Sequence, residues 1–289
     1  MKQQDLYKLL AFFLAFTMIF SIFAYIFINP GDDTAQQTEE QNQQDVYDPE
    51  FWTFNQPFDS ISDALNITPV GVESASYVDL ESMTPQMAQW ARQDQFIGQL
   101  DSIYKSNTTK MYYANLLEGK NRSNMLLSTM FPERNDFEYM VLPNSYPPIL
   151  KRLDMNGYYN VMGTPALLAP GDAIMGVLEI TESLNKTNSS YDQYEMLLSK
   201  VPDAPFQSIT SNVTFAKQFY MGIRLNNGSY ERTTAYLDLN SSVMKKLDQL
   251  KTNSTQRGIS QYDIKKSGNY TIVQISGQDL LAVLMEEAN

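Results

Sequence analysis

The most constraining feature of this 289-residue sequence is a run of twenty residues without a charged side chain, residues 9–28. A helix rises about 1.5 Å per residue, so a run of this length spans roughly the 30 Å of a bilayer core. The run therefore predicts a transmembrane helix in contact with membrane lipid. A cleaved signal peptide is the alternative, but its apolar region is usually about 7–15 residues and ends in a small-x-small site.

The basic residues that flank the run predict its orientation. Lys2 and Lys8 precede it, and the next basic residue is Arg92. Positive charge beside a span is retained on the cytoplasmic side of the membrane. We therefore expect residues 1–8 to form a cytoplasmic tail and the rest of the chain to lie outside, as a single-pass protein of the cell membrane.

Most of the negative charge lies close to the predicted span. The formal net charge is −12, and residues 9–91 contain acidic residues but no lysine or arginine. Residues 29–50 are acidic, rich in glutamine and poor in apolar side chains, which predicts a disordered tether. The remainder is close to neutral and lacks the clustered cations that nucleic-acid binding requires, so we expect no nucleic acid among its partners.

The sequence contains neither cysteine nor histidine. This composition excludes disulfides and the nucleophilic triads that use histidine as the base. A Ser-Lys dyad of Ser241 or Ser242 with Lys245 or Lys246 is the alternative, but a capped surface helix has the same spacing. The chain also lacks a calcium loop of the Asp-x-Asp-x-Asp-Gly type and the glycine-rich loops that bind phosphate. We therefore predict no catalytic residue, no cofactor and no metal ion, and we expect that the protein is not an enzyme.

Asn-x-Ser/Thr sequons are frequent beyond the predicted span. The ten sequons begin at Asn66, Asn107, Asn121, Asn185, Asn188, Asn212, Asn227, Asn240, Asn253 and Asn269. In an exported protein such sequons indicate glycosylated surface loops. We predict an N-glycosylated surface, and the alternative is a chain that is simply rich in asparagine, serine and threonine.

The combination of many sequons, an acidic balance and no cysteine resembles the composition of envelope glycoproteins of archaea, including methanogens. The resemblance covers the whole chain loosely and includes no motif of known activity. It implies a single-span glycoprotein of the cell envelope. Its ectodomain would be large enough to fold around a hydrophobic core without disulfides.

The predicted ectodomain has two parts, and the first comprises residues 51–205. Phe51–Phe54 predicts an aromatic cluster that docks on the core, and Thr84 with Pro85 predicts the start of a helix that extends to Tyr104. Periodicity and turn residues predict strands over 77–80, 111–117, 137–142, 158–162, 165–168 and 172–180, and helices over 147–154 and 190–198. Residues 124–130 fit either type of element.

The second part, residues 206–289, has the order β-β-α-β-β-α. Asn226–Gly228 and Lys266–Asn269 predict the turns of two hairpins. Ser241 or Ser242 is expected to cap the helix between them, and residues 278–287 form a terminal helix that packs Leu280, Leu281 and Leu284 on the sheet. The fold class predicted for the ectodomain is α+β, a mostly antiparallel sheet with helices packed on one face.

Three short segments resemble one another: residues 77–82, 177–183 and 236–241. Each has an acidic residue between aliphatic ones, followed by a serine. They suggest a repeated β-β-α unit, and chance similarity is the alternative. Their acids Asp79, Glu179 and Asp238 are the first candidates for a carboxylate pair of the glycosidase kind. Strand alternation instead predicts that all three are solvated.

These observations favour a non-catalytic structural or interaction role in the cell envelope. The protein would be a subunit or accessory of a surface or membrane assembly and would bind an envelope or membrane protein. The alternative is a module that binds a solute or glycan in an aromatic cleft, for which Tyr112-Tyr113 and Tyr158-Tyr159 are the candidates. A polysaccharide hydrolase that works through carboxylates is the third hypothesis.

Overall fold

The computed structural model describes residues 50–118, 121–182 and 189–286. Within these residues the chain forms seven α-helices and fourteen strands. The helices are α1 (Ile61–Ile67), α2 (Pro85–Ala91), α3 (Gln95–Tyr104), α4 (Gly171–Glu182), α5 (Tyr191–Leu198), α6 (Ser241–Thr252) and α7 (Leu280–Met285). The strands are β1 (Phe54–Asn55), β2 (Val72–Asp79), β3 (Asn107–Glu118), β4 (Asn121–Phe131), β5 (Tyr139–Val141), β6 (Ile149–Arg152), β7 (Tyr158–Val161), β8 (Gly163–Thr164), β9 (Ala166–Pro170), β10 (Phe206–Val213), β11 (Ala216–Asn226), β12 (Ser229–Leu237), β13 (Ile259–Ser267) and β14 (Tyr270–Gly277).

In the described part of the chain, twelve strands form one sheet in the order β13-β14-β12-β11-β10-β2-β3-β4-β9-β7-β6-β5. Neighbouring strands of this sheet are antiparallel throughout. β1 and β8 form a separate parallel pair. The predicted α+β class with a mostly antiparallel sheet is confirmed. β10, from the second predicted part of the ectodomain, pairs with β2 from the first, so the sheet continues through both parts.

Helices cover both faces of the sheet. On the central strand β3, Tyr113 packs in the cluster that contains α2, α3, α6 and α7, and the adjacent Tyr112 packs in the cluster that contains α1, α4 and α5. The expectation of helices on one face was therefore wrong. A strand that is buried on both faces has a nearly continuous apolar sequence, as over 111–114, and such a run does not show which helices cover it.

The helix predicted over residues 85–104 is two helices, α2 and α3. The Thr84 hydroxyl accepts the backbone N–H of Met87 at 3.3 Å, as expected for the cap. The chain then leaves the helical path, and Asp94 starts α3 by accepting the N–H of Phe96 at 2.9 Å. An aspartate at this position is a strong N-cap, so a new helix begins there.

The predicted helix over residues 147–154 was wrong, because β6 occupies this segment and pairs with both β5 and β7. Ile149 and Leu150 are buried on opposite faces of the sheet. Pro147 and Pro148 favour an extended conformation in the residue before each of them. The segment is therefore suited to a strand once two neighbouring strands are available.

The predicted strand over residues 172–180 was also wrong, because this segment is α4. Its buried residues are Ala173, Ile174, Val177, Leu178 and Ile180, and Met175 and Glu179 are exposed. This spacing has the helical period of 3.6 residues. The similarity of residues 177–183 to 77–82 and 236–241 consequently has no structural counterpart, since residues 177–182 are helical and the other two segments begin in strands.

The two predicted hairpins are present as β11–β12 and β13–β14. Asn227 and Gly228 form the first turn with φ of 50° and 76°. Positive φ at both central residues is the geometry that Asn-Gly adopts readily, which explains why this signal was reliable. Gly268, with φ of 59°, lies in the second turn.

The caps and the packing of the last helices differ in detail from the prediction. Asn240, and not Ser241 or Ser242, caps α6, and its Oδ1 accepts the N–H of Val243 at 3.0 Å. In α7, residues 280 and 284 are buried as expected, whereas Leu281 is 50% exposed and does not pack on the sheet.

The described chain begins at Glu50. Phe51 and Trp52 pack against the core and Phe54 is buried, as predicted for the aromatic cluster. No helix among the described residues has the length and apolar character that a membrane span requires. The predicted tail (1–8), anchor (9–28) and tether (29–50), apart from its last residue, lie outside the described residues.

Candidate functional site

The three carboxylates considered for catalysis lie apart. Asp79 ends β2 at one end of the sheet, Asp238 follows β12 at the other end, and Glu179 is on the exposed side of α4. Asp79 is only 6% exposed and accepts the backbone N–H groups of Glu81 and Ser82, both at 3.1 Å. The expectation that it is solvated was wrong, because it organises the turn that follows β2.

The two tyrosine pairs are divided between the faces of the sheet. Tyr113 and Tyr158 meet Phe96 and Asn124 around a cavity of about 20 Å³, and Tyr112 lies on the opposite face. The Tyr158 hydroxyl donates to Asn124 Oδ1 at 2.7 Å, and burial raises the pKa of Tyr158. A cavity of this size holds about one water molecule, whereas ligand pockets are typically about 300–1,000 Å³.

Exposed apolar side chains are concentrated in one stretch of the described chain. Of ten large apolar side chains that are strongly exposed there, six fall within residues 122–184: Phe131, Met140, Val141, Tyr146, Leu153 and Met175. No sequon begins within the same stretch. Four of the six lie on or beside β5, the outermost strand of the sheet. We name these four the apolar edge: Met140, Val141, Tyr146 and Leu153, which are 56%, 47%, 80% and 51% exposed.

The backbone of β5 is paired on one side only, with β6, among the described strands. Leu153 donates its N–H to the carbonyl of Glu138 at 3.0 Å, and Leu142 makes a second bond of this kind at 2.9 Å. Hydrogen-bonding residues alternate along an antiparallel pair, so the N–H and C=O groups of Val141 point away from β6. Such groups are a template for pairing with another extended chain.

The opposite edge of the sheet has a different character. There β13 exposes Lys265 and Lys266, and its register shifts between Ile259 and Gln261. Lysines and bulges on an edge strand oppose pairing with a second chain. The two edges of one sheet therefore differ in chemistry, since one is charged and irregular and the other is apolar.

A buried guanidinium supports the apolar edge. Arg152 lies on β6 directly opposite Tyr139, and its side chain is fully buried. It forms a bidentate ion pair with Asp154, with Nε donating to Oδ1 at 2.7 Å, and a further nitrogen donates to Asn160 Oδ1 at 3.2 Å. The guanidinium carbon is 3.8 Å from the ring centre of Phe137. A buried charge requires such pairing, so these contacts hold β6 in place.

Aromatic rings connect the apolar edge to the core. Phe137 packs edge-to-face on Tyr139 at 5.6 Å and on Tyr104 at 6.0 Å, and Phe51 packs on Tyr139 at 5.7 Å. Burial raises the pKa of Tyr104 although the nearby Arg152 acts in the opposite direction. The sequence predicts a strand over residues 137–142, but no local signal indicates that this strand is the sheet edge or that Arg152 is buried behind it.

The described sequon asparagines lie mostly on exposed positions. Exposed side chains belong to Asn107, Asn212, Asn227, Asn240, Asn253 and Asn269. Asn66 is half-buried on α1. The side chain of Asn121, and residues 185 and 188, lie outside the described part of the structure.

Comparison with known proteins gives structural neighbours alone. No protein-family model matches the sequence, and no curated protein matches it. Crystal form III of TP0453 superposes with a TM-score of 0.44 at 10% identity over 76% of this chain and 97% of that one. Crystal form I of TP0453 gives 0.43 at 10% identity over 78% and 98%. Similarity at this level carries no argument about function.

Proposed function

We propose that this protein is a membrane-anchored, extracytoplasmic glycoprotein with a non-catalytic role, in which it binds a neighbouring membrane or envelope protein as a subunit or accessory of an assembly. The predicted anchor at residues 9–28 and the sequons support the location. The main support for an interaction role is the apolar edge, where exposed apolar side chains and outward-facing backbone groups occur together on and beside β5.

The chemistry of this edge favours an extended apolar segment of the partner. Exposed apolar side chains grouped on a soluble surface mark interaction sites, and an added strand would bond with the backbone of Val141. β5 is three residues long, and Pro143 two residues beyond it has no N–H to offer. The partner strand would therefore be short, and side-chain contacts with Met140 and Tyr146 would supply the rest of the interface.

A photo-crosslinking experiment in native membranes tests this role. A photoreactive phenylalanine analogue at Met140 of the full chain is expected to form a crosslink with one defined membrane or envelope protein. The same analogue at Lys265, on the charged β13 edge, is the matched control and is expected to form none. Equal crosslinking from both edges would contradict the proposal, and a crosslinked pair of this chain would indicate self-association instead.

Charge on the edge is expected to abolish the crosslink without unfolding the protein. The substitution Val141→Lys places a cation where the partner strand would pair, and lysine on an edge strand opposes such pairing. Because Val141 is 47% exposed, we expect the free energy of unfolding to change by no more than about 0.5 kcal/mol. The measurement is crosslink yield from an analogue at Tyr146, with thermal unfolding as the control for folding.

The second candidate function, binding of a small solute or glycan, is supported by the meeting of Tyr113, Tyr158 and Phe96 around one cavity. At about 20 Å³ the cavity must widen before it admits a ligand. Under this hypothesis a Leu168→Trp variant, which fills the space, would lose a small molecule that copurifies with the wild-type chain. If native mass spectrometry detects no bound molecule on either protein, this hypothesis fails.

A further inference from the structure

We propose that the folded chain carries N-linked sugars at Asn212, Asn240 and Asn253 and that Asn66 carries none. The inference rests on the extracytoplasmic location in the proposed function. It selects among the seven sequons whose asparagine side chains the structure describes. The selection depends on whether the two chemical groups that define a sequon are both accessible in the folded protein.

The chemistry of transfer identifies those two groups. The asparagine Nδ2 forms a bond with the anomeric carbon of a sugar donated from a lipid-linked phosphate. The bond from that carbon to the phosphate oxygen breaks, and Nδ2 loses a proton. The hydroxyl two residues later is part of the acceptor signal. A transferase that acts on the folded chain must therefore reach both the amide nitrogen and that hydroxyl.

Both groups of the Asn66 sequon are engaged inside the protein. Asn66 Nδ2 donates to the carbonyl of Ser62 at 3.0 Å within α1. Thr68, which supplies the hydroxyl, is completely buried. Its Oγ1 donates to the carbonyl of Ala64 at 2.7 Å and lies 3.1 Å from the hydroxyl of Tyr112 beneath it. Removing Thr68 from this position would require α1 to detach from the sheet.

Three other sequons present both groups to solvent. The exposed pairs are Asn212 with Thr214, Asn240 with Ser242, and Asn253 with Thr255. Asn212, with φ of 54°, is the second-last residue of β10, next to the turn into β11. Asn240 accepts the N–H of Val243 at 3.0 Å and the hydroxyl of Ser242 at 2.9 Å. Both hydrogen bonds are accepted by Asn240 Oδ1, so neither of them involves Nδ2, which is the atom that reacts with the sugar.

The remaining three described sequons have an exposed asparagine, but the residue that supplies the hydroxyl is half-buried or buried. Thr109 of the Asn107 sequon bonds with the hydroxyl of Thr129 at 2.7 Å. Ser229 of the Asn227 sequon accepts from Gln278 Nε2 at 2.8 Å. In the Asn269 sequon the hydroxyl is that of Thr271, which is only 7% exposed. We expect lower occupancy at these three.

The three favoured sites belong to elements in the half of the sheet farther from the apolar edge. Asn240 precedes α6 and Asn253 follows it, and the Asn240 N–H donates to the carbonyl of Phe215 at 2.9 Å in the loop that follows Asn212. Seven strand-to-strand steps separate β10 from β5, which is on the order of 35 Å at about 4.8 Å per step. Sugars at these positions therefore leave the apolar edge uncovered.

Glycopeptide mass spectrometry of the full chain, isolated folded from the membranes of the cells that produce it, tests the assignment. We expect high occupancy at Asn212, Asn240 and Asn253 and no sugar on Asn66. Ser242→Ala is expected to remove the sugar at Asn240 alone, and it retains the cap that Asn240 provides for α6. Thr214→Ala and Thr255→Ala are expected to do the same for the other two sites.

Two results would overturn the assignment: a sugar on Asn66, or a folded chain in which the three favoured asparagines are unmodified. Crosslinking from position 140 can be measured on the same preparation. An intact crosslink with the wrong sugar pattern contradicts this inference alone. The expected sugar pattern without a crosslink contradicts the interaction role alone.

Discussion

Replacing Gly163 with alanine is expected to detach β1 from the rest of the fold. An added Cβ at this position would lie 1.8 Å from the backbone oxygen of Phe54 and 2.5 Å from its carbonyl carbon. The clash is with backbone, which cannot rotate away as a side chain can. The bonds from Phe54 N–H to Met162 and from Gln56 N–H to Thr164, both 3.1 Å, would be lost.

We expect Gly163→Ala to lower the free energy of unfolding by on the order of 3 kcal/mol, measured by denaturant unfolding of the detergent-solubilised full chain. Gly98→Ala is the matched control. Its added Cβ, on α3, has no atom within 4 Å, and alanine is favoured over glycine in a helix by about 1 kcal/mol. The control should therefore stabilise the protein. Equal destabilisation by both substitutions would show that the close approach of β1 to β8 is not what restricts position 163.

The second large effect is expected from the ion pair behind the apolar edge. Asp154→Ala leaves the guanidinium of Arg152 buried without its carboxylate, and removing one partner of a buried pair typically costs about 3–5 kcal/mol. Because the Asp154 side chain is 44% exposed, water can partly replace it, and we expect a loss near the lower limit. Hydrogen exchange at residues 139–141 should accelerate, since β5 depends on β6.

Arg152→Met removes the buried charge instead of stranding it. Asp154 can then be hydrated, so this substitution is expected to cost much less than Asp154→Ala. The control is Arg122→Ala, which breaks an exposed pair with Glu73 at 3.7 Å and should change the free energy of unfolding by no more than about 1 kcal/mol. If Arg152→Met is the more damaging of the two substitutions at this site, the packing of the guanidinium on Phe137 matters more than the charge.

Elements with a local signal were predictable. The β11–β12 hairpin follows from Asn227–Gly228, because only certain residues adopt positive φ at both central positions of a tight turn. The start of α2 follows from Thr84, whose hydroxyl replaces a missing helical hydrogen bond. The buried strand β3 follows from its apolar run. In each case the physical cause acts within a few residues, so the sequence alone contains it.

Elements whose identity depends on distant contacts were not predictable. Residues 149–152 form a strand because β5 and β7 flank them. In residues 171–182 the helical period is present in the sequence, but the apolar Met175 obscures it, and only the folded structure shows that Met175 is exposed. β10 was not anticipated at all, although it joins the two predicted parts of the ectodomain. The two-sided covering of the sheet likewise depends on which helices cross which face.

The same division applies to the candidate sites. The sequons, the uncharged run at 9–28 and the absence of histidine and cysteine are properties of the sequence, and they determined the predicted location and the excluded chemistries. The apolar edge, the burial of Arg152 and the inaccessibility of Thr68 were decided only by tertiary structure. Whether a strand lies at an edge, or a hydroxyl in a core, depends on neighbours that are far away along the chain, and no local pattern records them.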